Sequence, residues 1–166
     1  MPVHRENIQE IRVTSGTGTR GTKLSAFDAA LYDAGIANYN LIYLSSIIPE
    51  GFEPVKKRLL ENGNTEYGHK LYVVMAAQRE DEAEKESWAG IGWIMTEGEK
   101  RRGLFVEHTG ADEHQVINQI KRSLGDMTEY REGKFGEIQY EVAGITCHGK
   151  PVCAVVAAVY KSEGWD

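Results

Sequence analysis

Two adjacent serines, Ser45 and Ser46, end an apolar run that starts after Asn40, and two isoleucines and Pro49 follow them. A serine hydroxyl beside a peptide carbonyl is a latent nucleophile, although such a pair also reads simply as a strand entering a turn. Two carboxylates stand where ionic or acid–base chemistry is open to them. Asp28, three residues after Ser25, reads as a helix-start carboxylate that satisfies backbone N–H groups. Glu107 follows the apolar stretch 104–106; it either faces solvent by strand alternation or occupies a pocket that raises its pKa. Cys147, His148 and Cys153 offer three soft ligands, but their spacing matches no zinc pattern, and the two cysteines read as reduced core thiols.

Residues 16–21 have the G-x-G-x-x-G spacing between an expected strand and an expected helix. That is the context in which a turn cradles a dinucleotide pyrophosphate. The next requirement is an acidic residue at the end of the following strand, about 20 residues on. It is missing, because that strand ends in Leu44, Ser45 and Ser46. A tight strand-to-helix turn is the better reading of Gly16 to Gly21, and a nucleotide-binding module is the competing function from another class.

The elements that must position these residues follow from periodicity. Strands are expected at 9–14, 40–45, 71–77, 88–95, 104–108, 137–147 and 152–160. Leu24, Phe27, Leu31 and Ala34 recur at helical spacing over 24–34, with Gly35 placed to end the helix. A second helix starts near Asp112, which forms a capping box with Gln115, and buries Val116, Ile117, Ile120, Leu124 and Met127. Residues 49–66, with Pro49, Gly51, Pro54 and Gly63, read as loop with a short helix around 55–60. The charge run 79–86 reads as a solvated, hairpin-like connection, and the small apolar strand 152–160 belongs at the centre of a sheet. Two helices with six or seven strands imply a single-domain α+β layered fold.

Composition narrows the function classes. Hydrophobic residues make up 41% and charged residues 27% of 166, enough for one sizeable core. A net charge of −6 argues against a nucleic-acid binder, which would show a basic face. No apolar run approaches the ~20 residues of a membrane helix. The start shows no signal-peptide pattern, and two reduced thiols fit a cytoplasmic protein.

Residues 24–49, LSAFDAALYDAGIANYNLIYLSSIIP, resemble the pyruvoyl-dependent arginine decarboxylases, whose characteristic segment reads approximately L-N-A-F-D-x-A-L-x-x-A-G-I-G-N-x-N-L-I-x-x-S-S-I-x-P. The match has no gap; Ser25 and Ala37 depart from the commonest Asn and Gly. A weaker likeness continues through residues 103–107, the helix after them and the small-residue strand from Cys153. The resemblance implies an αββα sandwich that assembles as a homo-oligomer, a trimer, with sites between subunits. It implies self-cleavage between Ser45 and Ser46, giving residues 1–45 (beta chain) and 46–166 (alpha chain). Ser46 would become a covalently bound pyruvoyl group, with neither metal nor pyridoxal phosphate involved. A constrained backbone at the strand end and a group to receive the oxyanion are expected for such a rearrangement.

The resemblance further implies the chemistry that follows. The pyruvoyl ketone forms an imine with L-arginine and accepts the electrons left when CO2 departs, giving agmatine for polyamine biosynthesis. Glu107 falls at the family's proton-donor position, a role that needs a carboxyl kept neutral near pH 7. Asp28 falls at the position of the aspartate that pairs with the guanidinium, and Asn40 at a polar substrate contact. A pyruvoyl decarboxylase of another amino acid is the alternative within the class.

Overall fold

A computed structural model describes residues 8–59 and 61–166. The chain runs β1 (Gln9–Thr19), α1 (Lys23–Ala34), β2 (Asn40–Tyr43), β3 (Ile47–Ile48), β4 (Phe52–Lys56), β5 (Lys70–Glu80), β6 (Glu86–Met95), β7 (Gly103–Gly110), α2 (Glu113–Glu129), β8 (Gln139–Thr146) and β9 (Val152–Glu163). The strands form two sheets, one ordered β2-β5-β9-β1-β4 and the other β3-β7-β6-β8. Residues 1–7, the site of the leader-pattern reading, and Leu60, at the end of the expected short helix, lie outside the described residues.

Alternation along β9 explains the layers. Cys153, Val155, Ala157 and Val159 face Ala26, Ala30, Leu31 and Ala34 of α1. Ala154, Val156 and Ala158 face the other way, onto Ala89, Ile91, Trp93 and Phe105 of the second sheet. Val116, Ile120 and Leu124 of α2 then cover the outside of that sheet through Ile94, Leu104 and Val106. The order is helix, sheet, sheet, helix, the expected αββα sandwich, with β9 in the middle of its sheet. Both cysteines are free and buried, and burial pushes the Cys153 thiol up to about 11, which makes it an inert packing group. No helix among the described residues is long and apolar enough to cross a membrane.

The glycine-rich stretch departs from expectation. It is not a turn, because β1 continues through it to Thr19, pairing Gly16 with Val155 and Gly18 with Cys153. A Cβ on Gly16 would stand 2.5 Å from the Ala30 carbonyl oxygen and the Ala34 nitrogen, and one on Gly18 would strike the Ala26 carbonyl. The glycines let α1 lie close against the sheet, which removes the structural basis for a phosphate loop. Gly16→Ala is expected to lower the free energy of unfolding by about 1–3 kcal/mol through overpacking, read as a lower denaturant midpoint.

Two local expectations also change. Residues 52–56 form β4, parallel to β1, instead of loop and helix. Pro54 is tolerated there because β4 is a sheet edge and needs no donor on its outer side. Asp28 does not cap α1. Thr22 is the N-cap, with the Ser25 nitrogen donating to its Oγ1 at 3.0 Å and its own nitrogen donating to Ser25 Oγ at 3.1 Å. The charge run is only partly the solvated, hairpin-like connection expected: residues 81–85 are exposed, but Arg79 and Glu80 end β5, Glu86 begins β6, and the link passes from one sheet to the other instead of closing a hairpin.

Candidate active site

The chain changes sheets at the two serines. β2 is the edge of the five-stranded sheet, pairs in parallel with β5, and ends as the Leu44 nitrogen donates to the Val73 carbonyl at 2.9 Å. Four residues after Tyr43, Ile47 is already on the edge of the other sheet, opposite Leu104 of β7. Ser45 and Ser46 therefore carry the chain across the seam. Ser45 is exposed and Ser46 half-buried. Ser46 has φ 68°, in the left-handed region that costs a non-glycine residue about 1–2 kcal/mol. Its conformation is held because the Phe105 nitrogen donates to the Ser46 carbonyl at 2.9 Å.

The same strand alternation that buries Phe105 between the sheets turns Glu107 inward, opposite Ile91 of β6. Leu104 and Val106 point the other way, to α2. Ser46 Oγ donates a hydrogen bond to Glu107 Oε1. The two side chains are thus in direct contact although they stand 61 positions apart in sequence. His108 lies on the opposite side of β7, paired with Ser123 Oγ at 2.8 Å, and burial lowers its pKa. It is therefore a neutral packing partner of α2.

Tyr160 also reaches the seam. In sequence it is only a lone large aromatic near the end of a small-residue strand. Its hydroxyl donates to the Ile47 carbonyl at 2.7 Å, and its ring packs edge-on against Phe105 at 6.1 Å between centroids. Burial and the neighbouring Glu107 carboxylate push its phenol above the usual tyrosine range.

The other two expected site residues lie elsewhere within one chain. Asp28 is exposed on α1 and makes no side-chain hydrogen bond or ion pair with Ser46 or Glu107 among the described residues. Asn40 begins β2, so about 13 Å of extended chain separates it from Leu44 alone. Its Nδ2 donates to the Gly68 carbonyl at 2.8 Å, an oxygen that also accepts from Trp165 Nε1 at 2.9 Å. A cavity of about 470 Å³ opens beside β3, lined by Ile47, Ile48, Arg102, Leu104, Arg131 and Phe135 among others but by neither serine.

What this arrangement can do chemically is limited and specific. A carboxylate that accepts from a serine hydroxyl can remove its proton and so activate that oxygen as a nucleophile. Ser46 is held at two points: its Oγ by Glu107 and its carbonyl by β7.

Comparison with known proteins agrees with this geometry. The family model for pyruvoyl-dependent arginine decarboxylase matches residues 10–164. Pyruvoyl-dependent arginine decarboxylase 2 of Archaeoglobus fulgidus is 31% identical over 157 residues, covering 92% of this chain and 96% of the relative. The pyruvoyl-dependent arginine decarboxylase of Pyrococcus furiosus is 34% identical over 140 residues, covering 84% and 86%. That of Halobacterium salinarum is 32% identical over 161 residues, covering 92% and 94%. With likeness extending over both sheets and both helices, and a paired serine and glutamate at their seam, the chain belongs to the pyruvoyl-dependent arginine decarboxylase family.

Proposed function

We propose that this chain cuts itself between Ser45 and Ser46 and that the product decarboxylates L-arginine to agmatine, a polyamine precursor. The observation that carries the reading is the hydrogen bond from Ser46 Oγ to Glu107, made by a serine in a left-handed backbone at the crossing between sheets. Glu107 takes the hydroxyl proton as Oγ adds to the Ser45 carbonyl carbon. The C–N bond breaks, the amine on residue 46 takes up a proton, and an ester joins the two halves. Loss of the residue 46 Cα proton then expels the Ser45 carboxylate and leaves dehydroalanine. One water enters and one ammonia departs, giving residues 1–45 and a 46–166 chain that begins with a pyruvoyl group.

The ketone of that group supplies a sink for the electron pair left when CO2 departs. Glu107, already beside position 46, delivers a proton to the substrate carbon. Asp28 pairs with the guanidinium, which a carboxylate can engage with two parallel hydrogen bonds. Asp28 and Asn40 stand apart from Ser46 within one chain, so a neighbouring copy in a closed trimer supplies them. Tyr43 and Ile47, which flank the serines, are 62% and 54% exposed in the isolated chain, as residues facing such a neighbour would be.

The test is an intact mass of the purified protein followed by CO2 release from a panel of amino acids. Two chains, the larger with a blocked amino terminus, and release from arginine but not from its neutral isostere citrulline are expected. A single uncut chain overturns the maturation, and release from citrulline as fast as from arginine overturns the Asp28 pairing.

A further inference from the structure

Ser46 occupies an unfavourable backbone region, so something must hold the segment there. β3, which follows it, is too short to do so alone: it has two residues, and it is the edge of its sheet. β7 grips the segment from one side through the Phe105 nitrogen and the Ser46 carbonyl. The next carbonyl along, that of Ile47, is taken by the Tyr160 hydroxyl at 2.7 Å. Tyr160 belongs to the opposite sheet, so its hydrogen bond ties the two sheets together one residue beyond the reactive serine.

The backbone around Tyr160 is itself unusual. In the β5–β9 ladder Tyr72 pairs with Lys161 and Val73 pairs with Val159, so Tyr160 is the extra residue of a bulge. Bulges are over-represented beside active sites, where they adjust the direction of a side chain. The ring is fixed edge-on by Phe105, the residue whose nitrogen holds Ser46. Burial keeps the hydroxyl protonated, and so a donor, through the neutral range.

We propose that Tyr160 is a positioning residue for the self-cleavage: by holding the Ile47 carbonyl it keeps Ser46 in the left-handed conformation from which Oγ reaches the Ser45 carbonyl. The proposal rests on the reading that the chain cuts itself at Ser45–Ser46. Without the hydroxyl, the peptide after Ser46 is anchored by β7 alone, and Ser46 relaxes toward commoner backbone angles that carry Oγ off the reacting carbon.

Tyr160→Phe keeps the ring and removes only the donor. Followed by intact mass from the moment of synthesis, it should cut about tenfold more slowly than wild type, the size of one well-placed hydrogen bond. Its melting temperature should move by no more than about 4 °C. A ring-fluorinated tyrosine at 160 keeps shape and donor but ionises at lower pH, and it should draw the alkaline fall of the cleavage rate to lower pH. Loss of packing would not move that profile. Wild-type cutting in Tyr160→Phe, or an unmoved pH profile in the fluorinated protein, overturns the role of Tyr160 and leaves the self-cleavage reading standing. An uncut wild-type chain overturns both.

Discussion

Alanine at position 46 is expected to leave the chain whole and without activity. Alanine and serine share the same Cβ, so the left-handed backbone costs both about the same and the fold survives the exchange. What disappears is the oxygen that closes a five-membered ring onto the Ser45 carbonyl carbon through N, Cα and Cβ of residue 46. No ester forms, no elimination follows, and position 46 never acquires a ketone. CO2 release from arginine should fall to background, a loss on the order of 10⁶-fold or more, since the whole enzymatic acceleration depends on that group. Intact mass should show one full-length species at every time. A Ser46→Ala protein that appeared as two chains would place the chemistry elsewhere.

Glu107→Gln should impair two steps that can be measured apart. The carboxamide oxygen still accepts the hydrogen bond now made by Ser46 Oγ, but it cannot take the proton, so cleavage slows. In the fraction that does mature, the proton donor to the substrate carbon is gone, and turnover should fall about 10²- to 10⁴-fold. Dividing the decarboxylation rate by the amount of blocked chain separates the second effect from the first. Matured Glu107→Gln protein turning over at the wild-type rate would remove Glu107 from catalysis.

Most of the layering was legible because it depends on periodicity. The 3.6-residue spacing of Val116, Ile120 and Leu124 and the small-residue run after Cys153 each report a buried face directly. β4 was not legible, since Gly51 and Pro54 are loop signals and only its place at a sheet edge makes them acceptable in a strand. The glycines of β1 misled for a related reason. Their purpose, close approach of α1, depends on a partner that spacing within the strand does not reveal. Within the site, residues 24–49 stand out as a contiguous pattern, whereas the contact between Ser46 and Glu107 exists only once β7 lies beside β3. Tyr160 left still less trace, because a hydroxyl that serves a backbone carbonyl demands no particular sequence around it.

The place of β1 decides what the proposed cut would do to the molecule. β1 precedes Ser45 in the chain, yet it lies between β9 and β4, both of which follow Ser46, with α1 pinned over β9. On the proposed reading the strands are laid down before the bond is broken, and breaking it would release nothing. Once such a cut protein melted, two separate chains would have to find each other, so recovery would become a matter of concentration instead of a property of one chain. A cut at the Ser45–Ser46 seam would thus be a one-way door: the fold would be reached from the uncut precursor by a unimolecular route that the cut protein no longer had.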